Sequence, residues 1–349
     1  MAIRAISIYF EIALRLAKLT ATFHQMPNTD ISLTLKASSD PIRLLVLQLL
    51  KRDSLAANEL ALVLDIKQSA LSHHLKIMAQ ADWVSTRREG NTLFYRRHIS
   101  GDLALAKIQR SILQALDVNE LEAGAQISLN AIRHARQQIS AAFFESHVSE
   151  LDSVTDRIAG YKHYSDAIQE ALKTSLLKNR QSALEIGPGD GGFLPFLSGE
   201  FKKVFALDIS DSMLELAKEQ VQDLNNIEFI HGDIKGALKA GIQSDFVALN
   251  MVLHHIASPA DFLAQCWQLL NDDGALLITD LCTHQQDWVR ESCGDFWMGF
   301  EPDELLSWAQ DIGFVPQEPI LVGLKNGFQI QIHIFKKSTT QASTLKSLN

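Results

Sequence analysis

The stretch LEIGPGDGGFLPFL, Leu184 to Leu197, sets the narrowest limits on what this chain can fold into. Gly187, Gly189 and Gly192 are spaced G-x-G-x-x-G, after a β-prone run (Ser182 to Ile186) and before a helix-prone one. A chain of this kind turns tightly and brings its backbone close to a ligand at a helix start. Further runs, Val204 to Asp208, Ile227 to Ile230, Asp245 to Leu249 and Ala275 to Asp280, read as strands separated by helix-prone segments. This alternation predicts a doubly wound parallel α/β sheet. Its ligands bind at the carboxyl ends of the strands, where Gly187, Asp208, Asp233 and Asn250 fall.

Glu185 stands two residues before the first glycine and narrows the ligand. A dinucleotide would place its pyrophosphate in this loop, against a like charge. S-adenosylmethionine carries a sulfonium and an ammonium and no phosphate, so a carboxylate there attracts it, directly or through water. Asp208 discriminates less, because both ligand classes have ribose hydroxyls that need an acceptor. His231-Gly232-Asp233 supplies an acceptor where an adenine amino group would lie.

Together LEIGPGDGG, LDIS, HGDI and DFVALNMVLHHI resemble, in order and spacing, the class I S-adenosylmethionine-dependent methyltransferases. The resemblance runs through LLNDDGALLITD to FQIQIHIFKK and covers about Ser153 to Lys337. It implies a Rossmann-like sheet whose last strand is antiparallel beside the fifth, which the alternation in FQIQIHIF suits. It also implies S-adenosyl-L-methionine or S-adenosyl-L-homocysteine held by Glu185, Gly187, Gly189, Asp208, Ile209, Met213, Asp233, Ile234 and Asn250. His254 and His255 are weak candidates for catalysis; one of them also suits a helix cap. The aromatic stretch Thr283 to Leu305, with Trp288, Phe296, Trp297 and Phe300 beside Arg290 and Glu291, reads either as a lid or as packing of a connecting helix. The fourth motif reads Asn250-Met251-Val252-Leu253 rather than Asn-Pro-Pro-Tyr, which disfavours the usual methylation of nucleic-acid amino groups.

With 349 residues the chain has room for a second domain, and charge divides it. Residues 27–117 hold 12 Lys/Arg against 9 Asp/Glu, residues 118–349 hold 17 against 31, and two partners of different kinds are implied. Asp40-Pro41 opens a helix with Ile42, Leu45, Val46, Leu49 and Leu50 on one face. A short helix with Leu60, Val63 and Leu64 inward follows. The next helix, Lys67 to Ala81, turns Leu71, Leu75 and Met78 to the core and leaves Gln68, Ser69, Ser72, His73 and Lys76 on a slender polar face that suits a DNA major groove. STRREGNTLFYRR then reads as a hairpin turning at Glu89-Gly90-Asn91, with Arg87, Arg88, Arg96 and Arg97 close together to meet phosphate.

SDPIRLLVLQLL, NELALVLDIKQSALSHHLKIM and WVSTRREGNTLFYRR resemble the ArsR family of winged-helix regulators over about Leu33 to Leu116. That implies a homodimer held by terminal helices, reading a double-stranded DNA operator. The cysteines that many metal-sensing members carry are absent from ANELALVL, and GDLALAKIQRSILQALD lacks the family's other Asp/His set, so no metal is expected and an organic effector is favoured.

The expected organisation is a leader over 1–30, disordered or preceding a true start at Met26, a winged-helix domain over 31–117, a helical linker over 118–152, the methyltransferase domain over 153–337 and a disordered tail over 338–349; Gly124 and Gly160 are the expected breakers of the helix-prone stretch 118–175. Three cysteines (Cys266, Cys282, Cys293) without C-x-x-C spacing fit a reducing cytoplasm, and no apolar run is long enough to span a membrane. Two functions follow. One is a regulator, read as a repressor, that senses the cofactor; the other is an active small-molecule methyltransferase with an autoregulatory DNA-binding domain.

Overall fold

The computed structural model describes residues 27–175, 177–286, 288–289 and 295–338, without the side chains of 27–29, 140–141 and 143–157. The segment through Met26, the tail beyond 338, Arg290, Glu291 and Cys293 therefore lie outside the described residues. Two compact units divide between Asn130 and Ala131.

The first unit runs α1 (Pro27–Ala37), α2 (Pro41–Leu49), β1 (Leu55–Ala56), α3 (Ala57–Leu64), α4 (Gln68–Gln80), β2 (Val84–Glu89), β3 (Thr92–Arg97) and α5 (Leu103–Asp117). Residues 27–30, expected in the leader, already belong to α1. Asp40 caps α2 by accepting from the Arg43 amide at 3.1 Å, with Pro41 as the first helical residue. The inward face of α2 is rotated from the expected one. Leu45 is exposed and Leu47 is buried, because Arg43 turns inward to donate to the terminal carbonyls of α1 at Lys36 and Ala37. Arg43, Val46, Leu47 and Leu50 then share the buried side. On α3, Leu60 and Val63 are buried and Leu64 is half-buried. Leu71, Leu75 and Met78 of α4 are buried, each side chain contributing about 1.5–3 kcal/mol by leaving water. Strands β1, β3 and β2 form an antiparallel sheet in that order, and Gly90 takes φ +56° at the hairpin tip while Asn91 keeps a negative φ.

Helix α6 (Ala123–Ala159) starts in the first unit and continues through 37 residues to Gly160. Gly124 is its second residue, so only Gly160 of the two expected breakers ends a helix. After a 3-10 turn (Tyr161–His163) come α7 (Ser165–Thr174), β4 (Ser182–Ile186), α8 (Leu194–Glu200), β5 (Lys203–Asp208), α9 (Asp211–Gln220), β6 (Ile227–His231), α10 (Ile234–Lys239) and β7 (Ser244–Asn250). A second 3-10 turn (Leu253–His255) leads to α11 (Pro259–Leu269), β8 (Leu270–Leu281), α12 (Pro302–Ile312), β9 (Phe314–Pro316), β10 (Ile320–Gly323) and β11 (Gln329–Lys337).

The eight-stranded sheet has the order β10-β11-β8-β7-β4-β5-β6, with β9 also paired to β11. Strands β8, β7, β4, β5 and β6 are mutually parallel, and β11 enters antiparallel beside β8, as FQIQIHIF implied. Strands β9 and β10 are additions that the alternation did not reveal, since both are short and only half covered. The central strands carry near-continuous apolar runs because helices cover both faces: Ala183 and Leu184, Phe246 to Leu249 and Ala275 to Ile278 are all fully buried. Chain direction around the sheet reverses between β4 and β7, and the crevice outside their carboxyl ends is where such folds bind ligands.

Candidate functional site

In the first unit Gln68, Ser69, Ser72, His73 and Lys76 all stand exposed on α4. Ser72 Oγ donates to the Gln68 carbonyl at 2.8 Å. The four wing arginines do not form one patch. Cross-strand register places Arg87 and Arg96 on one face of the hairpin and Arg88 and Arg97 on the other. Arg87 pairs with the buried carboxylate of Glu89, Arg96 donates to Ser85 Oγ at 3.1 Å, and Arg97 forms a bidentate pair with Asp117 at 2.7 and 2.8 Å. Arg88 alone of the four is exposed.

In the second unit a cavity of ≈ 500 Å³ opens outside the carboxyl ends of β4, β5, β6 and β7. Gly187, Gly189, Asp208, Ile209, Met213, Asp233, Ile234 and Asn250 all line it, as do His254 and His255. At Gly187 (φ +69°) a Cβ would lie 2.7 Å from Val252 Cγ2, whereas at Gly189 (φ +59°) it would meet nothing within 4 Å. The second glycine thus leaves a cradle open on the ligand side. Asp208 Oδ1 accepts from the Ser210 amide at 2.9 Å, and burial raises its carboxyl despite that bond and the one from Ile209. Asp233 caps α10, accepting from the Gly236 amide at 2.8 Å.

Glu185 is not on the cavity wall. Its carboxylate is 1% exposed and sits near the wall residues Tyr161, Tyr164 and Asp190, with Oε2 lacking a hydrogen-bond partner among the described residues. Burial, reinforced by Asp190, pushes its carboxyl well above the usual range. The wall itself carries Asp190, Asp208, Asp233, Asp261 and Asp295 against Arg133 and Lys235, and Arg133 is held 3.5 Å from Asp261. This excess of carboxylates fits a cationic, phosphate-free ligand and opposes a pyrophosphate. The wall also uses Tyr161 and Tyr164, which no motif of the sequence singles out; burial raises the Tyr161 hydroxyl to about 12.

His254 is buried with Nδ1 2.8 Å from Asp280 Oδ1. Burial alone would lower its pKa, but Asp280 and Asp295 together outweigh that and raise it to about 9. The described part of the aromatic stretch is packed rather than loose. Trp297 and Phe300 are buried, Trp297 Nε1 donates to the Ile256 carbonyl at 2.8 Å, and the amides of Phe296 and Trp297 both donate to the His254 carbonyl at 3.0 Å. That answers the lid reading for residues 295–300. Asp295, which these bonds hold against the histidines, carried no sequence signal because it lies forty positions downstream.

The two units together define a winged-helix reader joined to a class I methyltransferase-type sheet. Residues 40–86 match the family described as bacterial regulatory protein, arsR family, and residues 184–278 match the methyltransferase domain family. The chain therefore belongs to the ArsR family through its winged helix and carries a class I S-adenosylmethionine-dependent methyltransferase domain after it.

Among its relatives, the transcriptional repressor SdpR of Bacillus subtilis is 40% identical over 60 residues, 17% of this chain and 67% of that one. The demethylmenaquinone methyltransferase of Oceanobacillus iheyensis is 27% identical over 139 residues, 38% of this chain and 58% of that one. A 37.1 kDa protein of a Streptomyces fradiae transposon is 28% identical over 151 residues, covering 42% and 43% respectively. The chain thus spans about half the length of the last two relatives. A solved S-adenosylmethionine-dependent methyltransferase from Aquifex aeolicus is 19% identical, with 52% of this chain and 97% of that chain aligned at a TM-score of 0.41. Among the described residues no helix is long and apolar enough to cross a membrane.

Proposed function

We propose that this chain is an ArsR-type transcriptional regulator, acting as a repressor in the cytoplasm, whose methyltransferase domain binds S-adenosylmethionine or S-adenosylhomocysteine as its effector. The observation that carries this reading is the acidic cavity built around the open Gly189 cradle, in the same chain as a fully exposed polar face on α4. Asp208 accepts from the ribose hydroxyls, Asp233 from the adenine amino group, and Ile209, Met213 and Ile234 supply the apolar walls of the adenine slot. Gly187 and Gly189 admit the ligand to the backbone, Asn250 closes the end of β7, and Glu185 serves the aminoacyl end from the end of β4.

On the DNA side, Gln68, Ser69, Ser72, His73 and Lys76 meet base edges and phosphates of a double-stranded operator, with Arg88 and the outer parts of Arg87 and Arg96 at the backbone. A homodimer joined through α1 and α5 is supported by the exposure of Leu33 (47%), Leu35 (48%) and Leu103 (80%) on those helices. In this reading 31–117 is the reader, 118–152 the helical linker and 153–337 the effector domain. Cofactor need only bind the DNA-competent and DNA-incompetent states unequally, by about 1–3 kcal/mol, to switch occupancy.

One observation favours the enzyme reading: the lining of the cavity includes His255, Asp261, Phe262 and Gln265 in addition to the cofactor residues, a wall against which a small methyl acceptor could lie. When bound, S-adenosylmethionine supplies an electrophilic methyl group. The protein's part is then to align the acceptor with it and to exclude water. Calorimetry of both cofactor forms with and without operator DNA separates the readings. Under the regulator reading, either form binds and shifts DNA affinity about 5–150-fold. If neither form changes DNA binding while radiolabelled methyl reaches an acceptor, the enzyme reading replaces it; absence of binding by either form removes both.

A further inference from the structure

The cavity wall also holds a cluster that the cofactor residues do not use. His254 and His255 sit on the 3-10 turn after β7, their ring centroids 4.0 Å apart. Asp280, at the end of β8, takes His254 Nδ1 at 2.8 Å, the His254 amide at 3.3 Å and the Leu281 amide at 2.7 Å. An ionised carboxylate only accepts, so His254 Nδ1 carries a proton and its Nε2 points the other way, to within 3.7 Å of Asp295 Oδ1. His255 Nδ1 lies 3.7 Å from the same oxygen, and one donor atom from each of the three residues falls within 4.8 Å of the others. These separations are long for hydrogen bonds. They are close to the spacing of about 3.4 Å that donor atoms adopt around one tetrahedral ion at about 2.1 Å. Asp295 is held there by the paired main-chain bonds from Phe296 and Trp297 to the His254 carbonyl.

We propose that His254 Nε2, His255 Nδ1 and the Asp295 carboxylate bind one divalent transition-metal ion of the zinc class, with Asp280 as the positioning carboxylate behind His254. Two imidazoles and one carboxylate favour zinc, cobalt or nickel over the oxygen-seeking magnesium and calcium. The carboxylate-to-histidine bond fixes the tautomer and ring direction that such a ligand needs. Three protein donors leave a fourth position open, and since all three residues line the cavity, that position faces its interior. A small molecule bearing an anionic oxygen or sulfur would coordinate there, beside the cofactor. The expectation of no metal concerned the cysteine and Asp/His sets of the winged-helix domain; here, in the second unit, two ligands are adjacent and the third is distant, a pattern with no sequence signature.

The test uses untagged full-length protein, stripped with chelator and titrated with cobalt(II), then with zinc. One equivalent of cobalt per chain is expected, with visible ligand-field bands that zinc removes. His255→Ala and Asp295→Asn should each abolish stoichiometric uptake while keeping a cooperative melt, and Asp280→Asn should weaken affinity roughly 10–100-fold. Asp208→Ala should take up metal normally, which keeps this result separate from the cofactor reading. X-ray absorption of the zinc-loaded wild type decides the matter even if the variants misfold: nitrogen and oxygen donors with imidazole scattering support the site, and sulfur donors overturn it. Absence of stoichiometric uptake by wild type, or uptake unchanged in both ligand variants, overturns it as well.

Discussion

On α4 of the first unit Gln68, Ser69, Ser72, His73 and Lys76 stand in solvent, whereas around the cavity of the second unit Glu185, His254, Asp280 and Asp295 are 1%, 4%, 0% and 3% exposed. Exposed groups act nearly independently and are screened by salt, so each contributes little to folding and its effect is felt on a partner. Buried charged groups are coupled to one another and to stability, since each needs its partner to offset the loss of water. A residue on the exposed face of α4 can therefore be altered for function alone, while one of these buried groups alters function and fold together.

Breaking the buried side of this contrast should give the largest effect. Asp280→Ala leaves His254 without the carboxylate that orients it, and is expected to cost about 3–5 kcal/mol of stability in denaturant unfolding, whereas Ser72→Ala on α4 should fall within about 0.5 kcal/mol of wild type. Asp208, half-buried and at the cavity wall, lies between the extremes. Asp208→Ala should weaken either cofactor form by about 1.5–3 kcal/mol, roughly tenfold to over a hundredfold by calorimetry, and leave DNA affinity without cofactor nearly unchanged.

Glu185 sharpens the comparison through pH. Its folded carboxyl is raised by burial, so the folded state holds the proton more tightly than the unfolded chain. The stability this gives is present below the ordinary glutamate value of 4.5 and is lost as pH rises through the elevated folded value. Glu185→Gln should therefore gain stability relative to wild type as pH rises from 4.5 towards the elevated folded value, while binding S-adenosylmethionine more weakly; parallel stability curves for the two proteins would mean that the carboxyl is not desolvated. The smallest effect is expected on the exposed side. Arg88→Ala should lower the slope of log K against log salt by about 1 and weaken all duplexes alike, and Lys76→Ala should do the same if it contacts phosphate. An unchanged slope for Arg88→Ala would take that part of the wing out of the interface.

How much of this could be read from the chain follows the same division. The inward positions of α4, the cap at Asp40 and the parallel strands around Gly187 were legible because local periodicity and turn chemistry determine them. The buried face of α2 was misread at Leu45 and Leu47, since the inward turn of Arg43 answers to carbonyls on α1. The wing arginines looked equivalent in sequence, and cross-strand register then set them on opposite faces and gave Arg97 to Asp117.

By itself the sequence determined two domains of different charge, an ArsR-like reader with its polar helix face and a class I sheet with glycine and acidic residues at its strand ends. Each of these is encoded within one element or one strand-turn-helix unit, where spacing along the chain equals spacing in space. Only the tertiary structure decided that Glu185 is buried away from the cavity lining, that Tyr161 and Tyr164 belong to that lining, that Asp280 meets His254 and that Asp295 meets both His254 and His255. Those placements depend on strand order and on loops anchored by main-chain bonds to distant elements, and no local pattern of residues carries that information.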